Sequence, residues 1–270
     1  LIFFKGNSQL IYTKANDITR EILSFNFQSA DSLIEISEND FKNDYLWSQL
    51  KTNYYWWVLI SGNDNEKVRE LFQLNAENTI QKIVKYDDIK RKCFWSPKFS
   101  HFVSYGYLTR LYSLSKSYIQ LLSHASSMLS IIEENLTKTD ECDCFKLTSG
   151  LFHYFIQTAR NQGNLMKAGL IFYPESNLEY GIRLLNESSK SENSLISSEA
   201  NYFLARIYYE NESKIDSSLY HYGILTKEYP NNLIYLYYEL KAMIKAKLPK
   251  QVLLEKKQKA IQLTNKNPQL

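Results

Sequence analysis

The chain has 270 residues, of which 44% are apolar and 14% aromatic; this is enough to bury a core without metals or disulfides and excludes a disordered chain. A formal charge of +3 is too small by itself to imply a polyanion partner. Only 8 glycines and 5 prolines punctuate the chain, too few for a fold rich in hairpins or tight α/β loops, so long helices are expected.

In chain order, Tyr12 to Ser24 and Gln28 to Ser37 read as a helix pair broken at Phe25-Asn26-Phe27. Tyr45 to Ile60 and Glu66 to Lys85 read as a second pair, broken at Gly62-Asn63-Asp64. The stretch from Tyr54 to Ile60 has the aromatic and β-branched content of a strand, but its amphipathic lead-in from Leu46 to Leu50 favours a buried helix. Phe99 to Tyr112 and Tyr118 to Leu136 form a third pair around a serine-rich turn, and a long helix follows from Cys144 to Asn161. Leu178, Gly181, Ile182 and Leu185 mark a helix opened by Pro174-Glu175-Ser176, which has the composition of an N-cap region.

Helical periodicity is clearest from Ala200 onward. Ala200, Phe203, Leu204, Ile207 and Tyr208 fall at i, i+3, i+4, i+7 and i+8, one apolar face of a helix. A polar turn at Asn211 to Lys214 leads to a second helix carrying Ile215, Leu219, Tyr222, Leu225 and Tyr229, stopped by Pro230-Asn231-Asn232. Leu233 to Ala246 and Lys250 to Thr264 make a following pair, with Pro268 after it. Such hairpins cannot bury both apolar faces alone and need stacked neighbours. No segment alternates as a strand with hairpin turn dipeptides, so almost no sheet is expected.

The segment from Ala200 to Asn232 resembles the tetratricopeptide repeat. Leu204, Ala205 and Tyr208 fill the large, small and aromatic positions of that family's first helix; Ser218, Tyr222, Leu225 and Pro230 fill those of its second. The segment departs from the pattern by one extra residue in its inter-helix turn, and by Ser218 and Leu225 where alanines are usual. Strict resemblance covers about 35 residues. Looser resemblance, including Ser149 to Phe152, Tyr173-Pro174 and Gly181 to Leu185, extends to divergent bacterial tetratricopeptide-like proteins. It implies an all-α fold, a right-handed α-α superhelix made by one helical-repeat domain over 1–270, with the best repeat at 197–232 and the following pair at 233–268. It also implies a periplasmic or envelope-associated place, with a cytoplasmic one left open.

Other constellations carry weaker signals. Cys142, Cys144 and His153 lack the paired spacing of a zinc site. Two cysteines one residue apart rarely have the geometry to pair, and an odd count of three shows no disulfide framework. Cys93, His101 and His124 lack any nucleophile signature around them. Asp140, Glu141 and Asp143 lack the glycine and twelfth-position glutamate of a calcium loop. Glycine-rich phosphate loops and zinc-protease motifs do not occur, and no cofactor is expected. Leu1 to Phe4 is shorter than the apolar segment of a signal peptide, although it would suit the end of a cleaved one; the longest apolar run, Tyr54 to Ile60, is too short to span a bilayer. Between Lys241 and Lys266 eight lysines face one acid, Glu255, a basic end that admits a nucleic-acid or membrane-surface reading but reads first as a solvated helix face, so a nucleic-acid partner is not expected.

If the hairpins stack, their first helices line a groove suited to an extended peptide or a partner helix. Opposite the packing faces lie Tyr202, Arg206 and Tyr209 in the best repeat and Tyr237, Lys241 and Lys245 in the next. Aromatic and cationic side chains suit carboxylates and backbone carbonyls. The expected function is a non-catalytic scaffold that binds a protein or peptide of some acidic character. The rival expectations are an all-α hydrolase or carbohydrate-active protein with an aromatic cleft, and a basic nucleic-acid or membrane-surface binder.

Overall fold

The computed structural model describes residues 2–41, 44–85, 95–163 and 170–266, with side chains over 10–39, 44–85, 95–163 and 170–265. Cys93 and Pro268 lie outside the described residues. In chain order the helices are α1 Ile2–Leu23, α2 Phe27–Ile36, a single turn α3 Glu38–Phe41, α4 Tyr45–Ile60, α5 Glu66–Ile83, α6 Pro97–Leu114 and α7 Tyr118–Glu133. They continue as α8 Asp143–Asn161, α9 Leu178–Ser188, α10 Ser194–Glu210, α11 Ile215–Glu228, α12 Leu233–Lys245 and α13 Lys250–Lys266. The protein is all-α, with no strand among the described residues. Tyr54 to Ile60 is helical, as its lead-in indicates.

Side-chain caps set several of the boundaries. Ser96 accepts from the Phe99 amide with Pro97 at the first helical position of α6, and Asn177 accepts from the Tyr180 amide to open α9. The cap of α9 is therefore Asn177 and not the Pro174 to Ser176 stretch; Ser176 instead accepts from Arg160, whose guanidinium also holds the Leu170 and Tyr173 carbonyls. Asn193 accepts from the Leu195 and Ile196 amides, which starts α10 six residues before Ala200, the beginning of the clear apolar period.

Four helix pairs turn through a residue in the left-handed region that is not glycine: Phe25 (φ 58), Lys116 (φ 57), Ser213 (φ 55) and Lys247 (φ 56). These sit between α1 and α2, α6 and α7, α10 and α11, and α12 and α13. In three of them the next amide reaches back five residues, Asn26 to Glu21, Ser117 to Tyr112 and Leu248 to Met243, the bond that satisfies a carbonyl left open at a helix end. At Ser213 the Lys214 amide reaches back six, to Tyr208, matching the extra residue in this turn.

The chain divides into two compact units, one made of Leu1–Asn43, Leu50–Asn75 and Asn201–Leu270, the other of Asp44–Gln49 and Ala76–Ala200. In the first, α11 packs on α12 and α12 on α13, and α1 packs on α2. Its core is aromatic: Trp57 lies 5.9 Å from Phe25 and 5.6 Å from Tyr235, and Trp56 lies 5.6 Å from Phe72. Helices far apart in sequence meet here, since the buried Asn232 donates to the Leu23 carbonyl at 2.8 Å and Arg20 reaches Glu228. The packing of this unit is therefore not confined to sequence neighbours.

In the second unit, α6 packs on α7 and α8 on α9. The α8–α9 approach depends on two glycines. A Cβ on Gly181 would stand 2.8 Å from both the Gly150 carbonyl oxygen and the Tyr154 amide nitrogen, and one on Gly150 would stand 2.9 Å from Leu185. Two of these three obstacles are backbone, which cannot swing aside. At the start of α8, Cys142 and Cys144 form a disulfide, contrary to the expectation that they do not pair. Extended backbone at Cys142, the N-cap, meets the first helical turn at Cys144 and brings their Cα atoms to 5.2 Å, within the range of bonded cysteines.

Candidate functional site

The six residues singled out in the sequence lie together on the first unit. Helix α10 carries Tyr202, Arg206 and Tyr209 at i, i+4 and i+7, and α12 carries Tyr237, Lys241 and Lys245 at i, i+4 and i+8, so each set lines one helix face. The opposite faces are buried through Leu204, Ala205 and Ile207 on α10 and Leu236, Ala242 and Met243 on α12, which orients the two polar–aromatic faces outward.

Rings and cations interleave across the two helices. The Lys241 ammonium lies 5.9, 5.6 and 5.7 Å from the rings of Tyr209, Tyr237 and Tyr238. Lys245 stands 4.2 Å over Tyr209 and donates to the Tyr209 carbonyl at 2.9 Å. The Arg206 guanidinium sits 5.8 Å from Tyr202 and 6.0 Å from Tyr238, and donates through Nε and Nη2 to Glu210 at 2.8 to 3.0 Å. These are cation–π distances. Lys241 is exposed, with no carboxylate at ion-pair distance among the described residues. Of the three cations, Arg206 is paired with a carboxylate, Glu210.

Tyr238 is the residue that the helical phase alone missed. It stacks on Tyr222 at 6.1 Å and 8°, touches Tyr202 at 5.7 Å and Tyr237 at 5.3 Å, and faces both Arg206 and Lys241. It lies one position past Tyr237, between the exposed and buried faces of α12, and its adjacency to Tyr235 and Tyr237 was its only sequence signal. Burial raises the Tyr222 hydroxyl above the ordinary tyrosine range, keeping this floor neutral. Beneath α10, His221 shares a 2.9 Å hydrogen bond between Nδ1 and Asn201 Oδ1, and stacks on Tyr208. Burial lowers its pKa to about 4, so the imidazole is neutral at pH 7.

The other sequence candidates fare differently. Both sulfurs of the Cys142, Cys144 and His153 set are committed to the disulfide. Asp143 pairs with Lys146 at 3.5 Å. His101 and His124 flank Tyr105, at 4.9 and 5.6 Å, beside a recess of about 530 Å³ between α6 and α7. That recess is lined by His101, Tyr105, Ser123, Ser126, Ser127, Ser130 and Ile131, none of which carries a carboxylate. In the second unit, Glu199 is buried beside Arg110 at 3.6 Å; burial raises its pKa while Arg110 opposes the rise. Among the described residues no group of three or more histidines, cysteines or acids is placed to hold a metal ion, and no helix is long and apolar enough to cross a membrane.

Comparison of the chain with protein-family models, with curated proteins and with solved structures finds no match.

Proposed function

We propose that the protein is a non-catalytic scaffold that binds an acidic peptide segment on the α10–α12 face, and that its hairpins are divergent tetratricopeptide-like repeats wound as a right-handed superhelix. The observation that carries the binding reading is the Lys241 ammonium, exposed, ringed by Tyr209, Tyr237 and Tyr238 and without a carboxylate at ion-pair distance among the described residues. A carboxylate on a partner supplies the missing charge. The rigid tyrosine rings supply contact area at low entropic cost, the chemistry that dominates protein interfaces.

Two observations support the repeat reading. A left-handed residue turns four helix pairs, three of them with the same five-residue back-bond, and five of the seven positions matched to the family, Leu204, Ala205, Ser218, Tyr222 and Leu225, are buried, with Tyr208 half-buried and Pro230 exposed. The contacts between Asn232 and Leu23 and between Trp57 and Tyr235 depart from the nearest-neighbour stacking of an open array.

Affinity capture from the native cell followed by mass spectrometry, with wild-type protein beside the Arg206→Glu, Lys241→Glu double variant, tests the reading. A protein captured by the wild type and lost in a folded double variant agrees with it; equal capture by both moves binding away from this face.

A further inference from the structure

A second surface, separate from the α10–α12 tyrosines, has the chemistry of a bilayer-docking face. On α13, Leu253, Ala260 and Leu263 are half-buried, and Lys256 is held by Glu239 at 2.5 Å; this side turns toward α12, on which α13 packs. Along one flank of the other side run Lys250, Leu254, Lys257 and Ile261, spaced by four, three and four residues and hence one stripe along the helix. All four are exposed, Leu254 at 46% and Ile261 at 49%. Exposed Lys247, in the left-handed region, stands at the turn leading into α13. The one acid of α13, Glu255, accepts from Gln251 beside the stripe.

We infer that this stripe docks the protein onto the surface of an anionic phospholipid bilayer. Alternating lysine and aliphatic side chains on one exposed line need two complements at once, negative charge for the ammonium groups and an apolar layer beneath it for Leu254 and Ile261. An anionic bilayer interface offers both within the reach of one helix. A nucleic acid offers the first without the second, and it selects for exposed aromatic or arginine side chains that stack on bases, which this stripe lacks. A protein partner is disfavoured because three lysines, Lys247, Lys250 and Lys257, accompany two aliphatic side chains, whereas the buried centres of protein interfaces are depleted in lysine.

Sedimentation of the full chain with vesicles of phosphatidylcholine containing roughly one-third phosphatidylserine, beside vesicles of phosphatidylcholine alone, tests this. The expected result is binding to the first and not the second, weakened by salt. Lys250→Glu with Lys257→Glu is expected to lower the partition coefficient roughly tenfold or more. Leu254→Ser with Ile261→Ser, which leaves every charge in place, is expected to lower it roughly tenfold, with helical circular dichroism unchanged in both variants. Absence of binding to the anionic vesicles overturns the inference. So does binding that ignores the Leu254 and Ile261 change, or a single-stranded oligonucleotide bound more tightly than the vesicles, either of which makes the stripe a general polyanion surface. Neither pair of substitutions touches Arg206 or Lys241, so the outcome is independent of the peptide-binding proposal.

Discussion

At the scale of single residues, the clearest chemistry is that of His221. Its pKa of about 4 in the fold lies below the ordinary value near 6.5, so between those pH values the unfolded chain binds a proton that the folded chain does not. The stability that depends on a neutral His221 is complete above pH 6.5 and is lost as pH falls toward 4. Urea unfolding at pH 7 and pH 5 is expected to show a loss of about 2 kcal/mol attributable to this group, and a His221→Gln variant is expected to flatten the dependence by about one proton. The disulfide has an equally direct readout. Alkylation in denaturant without reductant should leave Cys142 and Cys144 unlabelled and their peptide two hydrogens lighter than after reduction. Labelling of both would contradict the pairing. Sequence reasoning missed this bond because it weighed spacing alone; the bend from extended N-cap to helix that closes the distance is a backbone property.

At the scale of elements, most helices were legible because their apolar residues keep a 3.6 period and their turns carry asparagine, serine or glycine. Tyr45 to Ile60 was placed to the residue. The first turns of α10 were not, and the reason is physical. Residues 193 to 200 are buried throughout, yet four are serine or asparagine, and three of these satisfy side-chain polar atoms locally, Ser197 to the Ser194 carbonyl, Ser198 to the Leu195 carbonyl and Asn193 to the amides it caps. Burial of this kind leaves no hydrophobic period to read.

The same logic of local bonds and close approach sets expected effects on stability. Asn232→Ala removes the α12 cap and orphans the Leu23 carbonyl, a cost of about 2–4 kcal/mol in chemical denaturation. Gly181→Ala drives a methyl into the Gly150 carbonyl and the Tyr154 amide and should cost about 1–3 kcal/mol. Lys116→Gly should act in the opposite direction, raising stability by up to about 1 kcal/mol, because an exposed residue at φ 57 loses its steric penalty.

At the scale of the whole molecule, the all-α class followed from sparse glycine and proline and from helical periodicity. The contacts that join residues 23 and 232, or 57 and 235, left no mark in the sequence, because pairings at such separations depend on how the helices wind. Six of the residues at the candidate site were placed by helical phase; Tyr238, at its centre, required the structure. Recognition of acidic peptides by this α10–α12 face, as proposed above, is tested by selection of a displayed random-peptide library on wild-type protein, repeated on a folded Lys241→Glu variant. The expected result is enrichment of peptides rich in aspartate and glutamate on the wild type and their loss on the variant; acidic peptides enriched equally on both, or no acidic enrichment on the wild type, would contradict it.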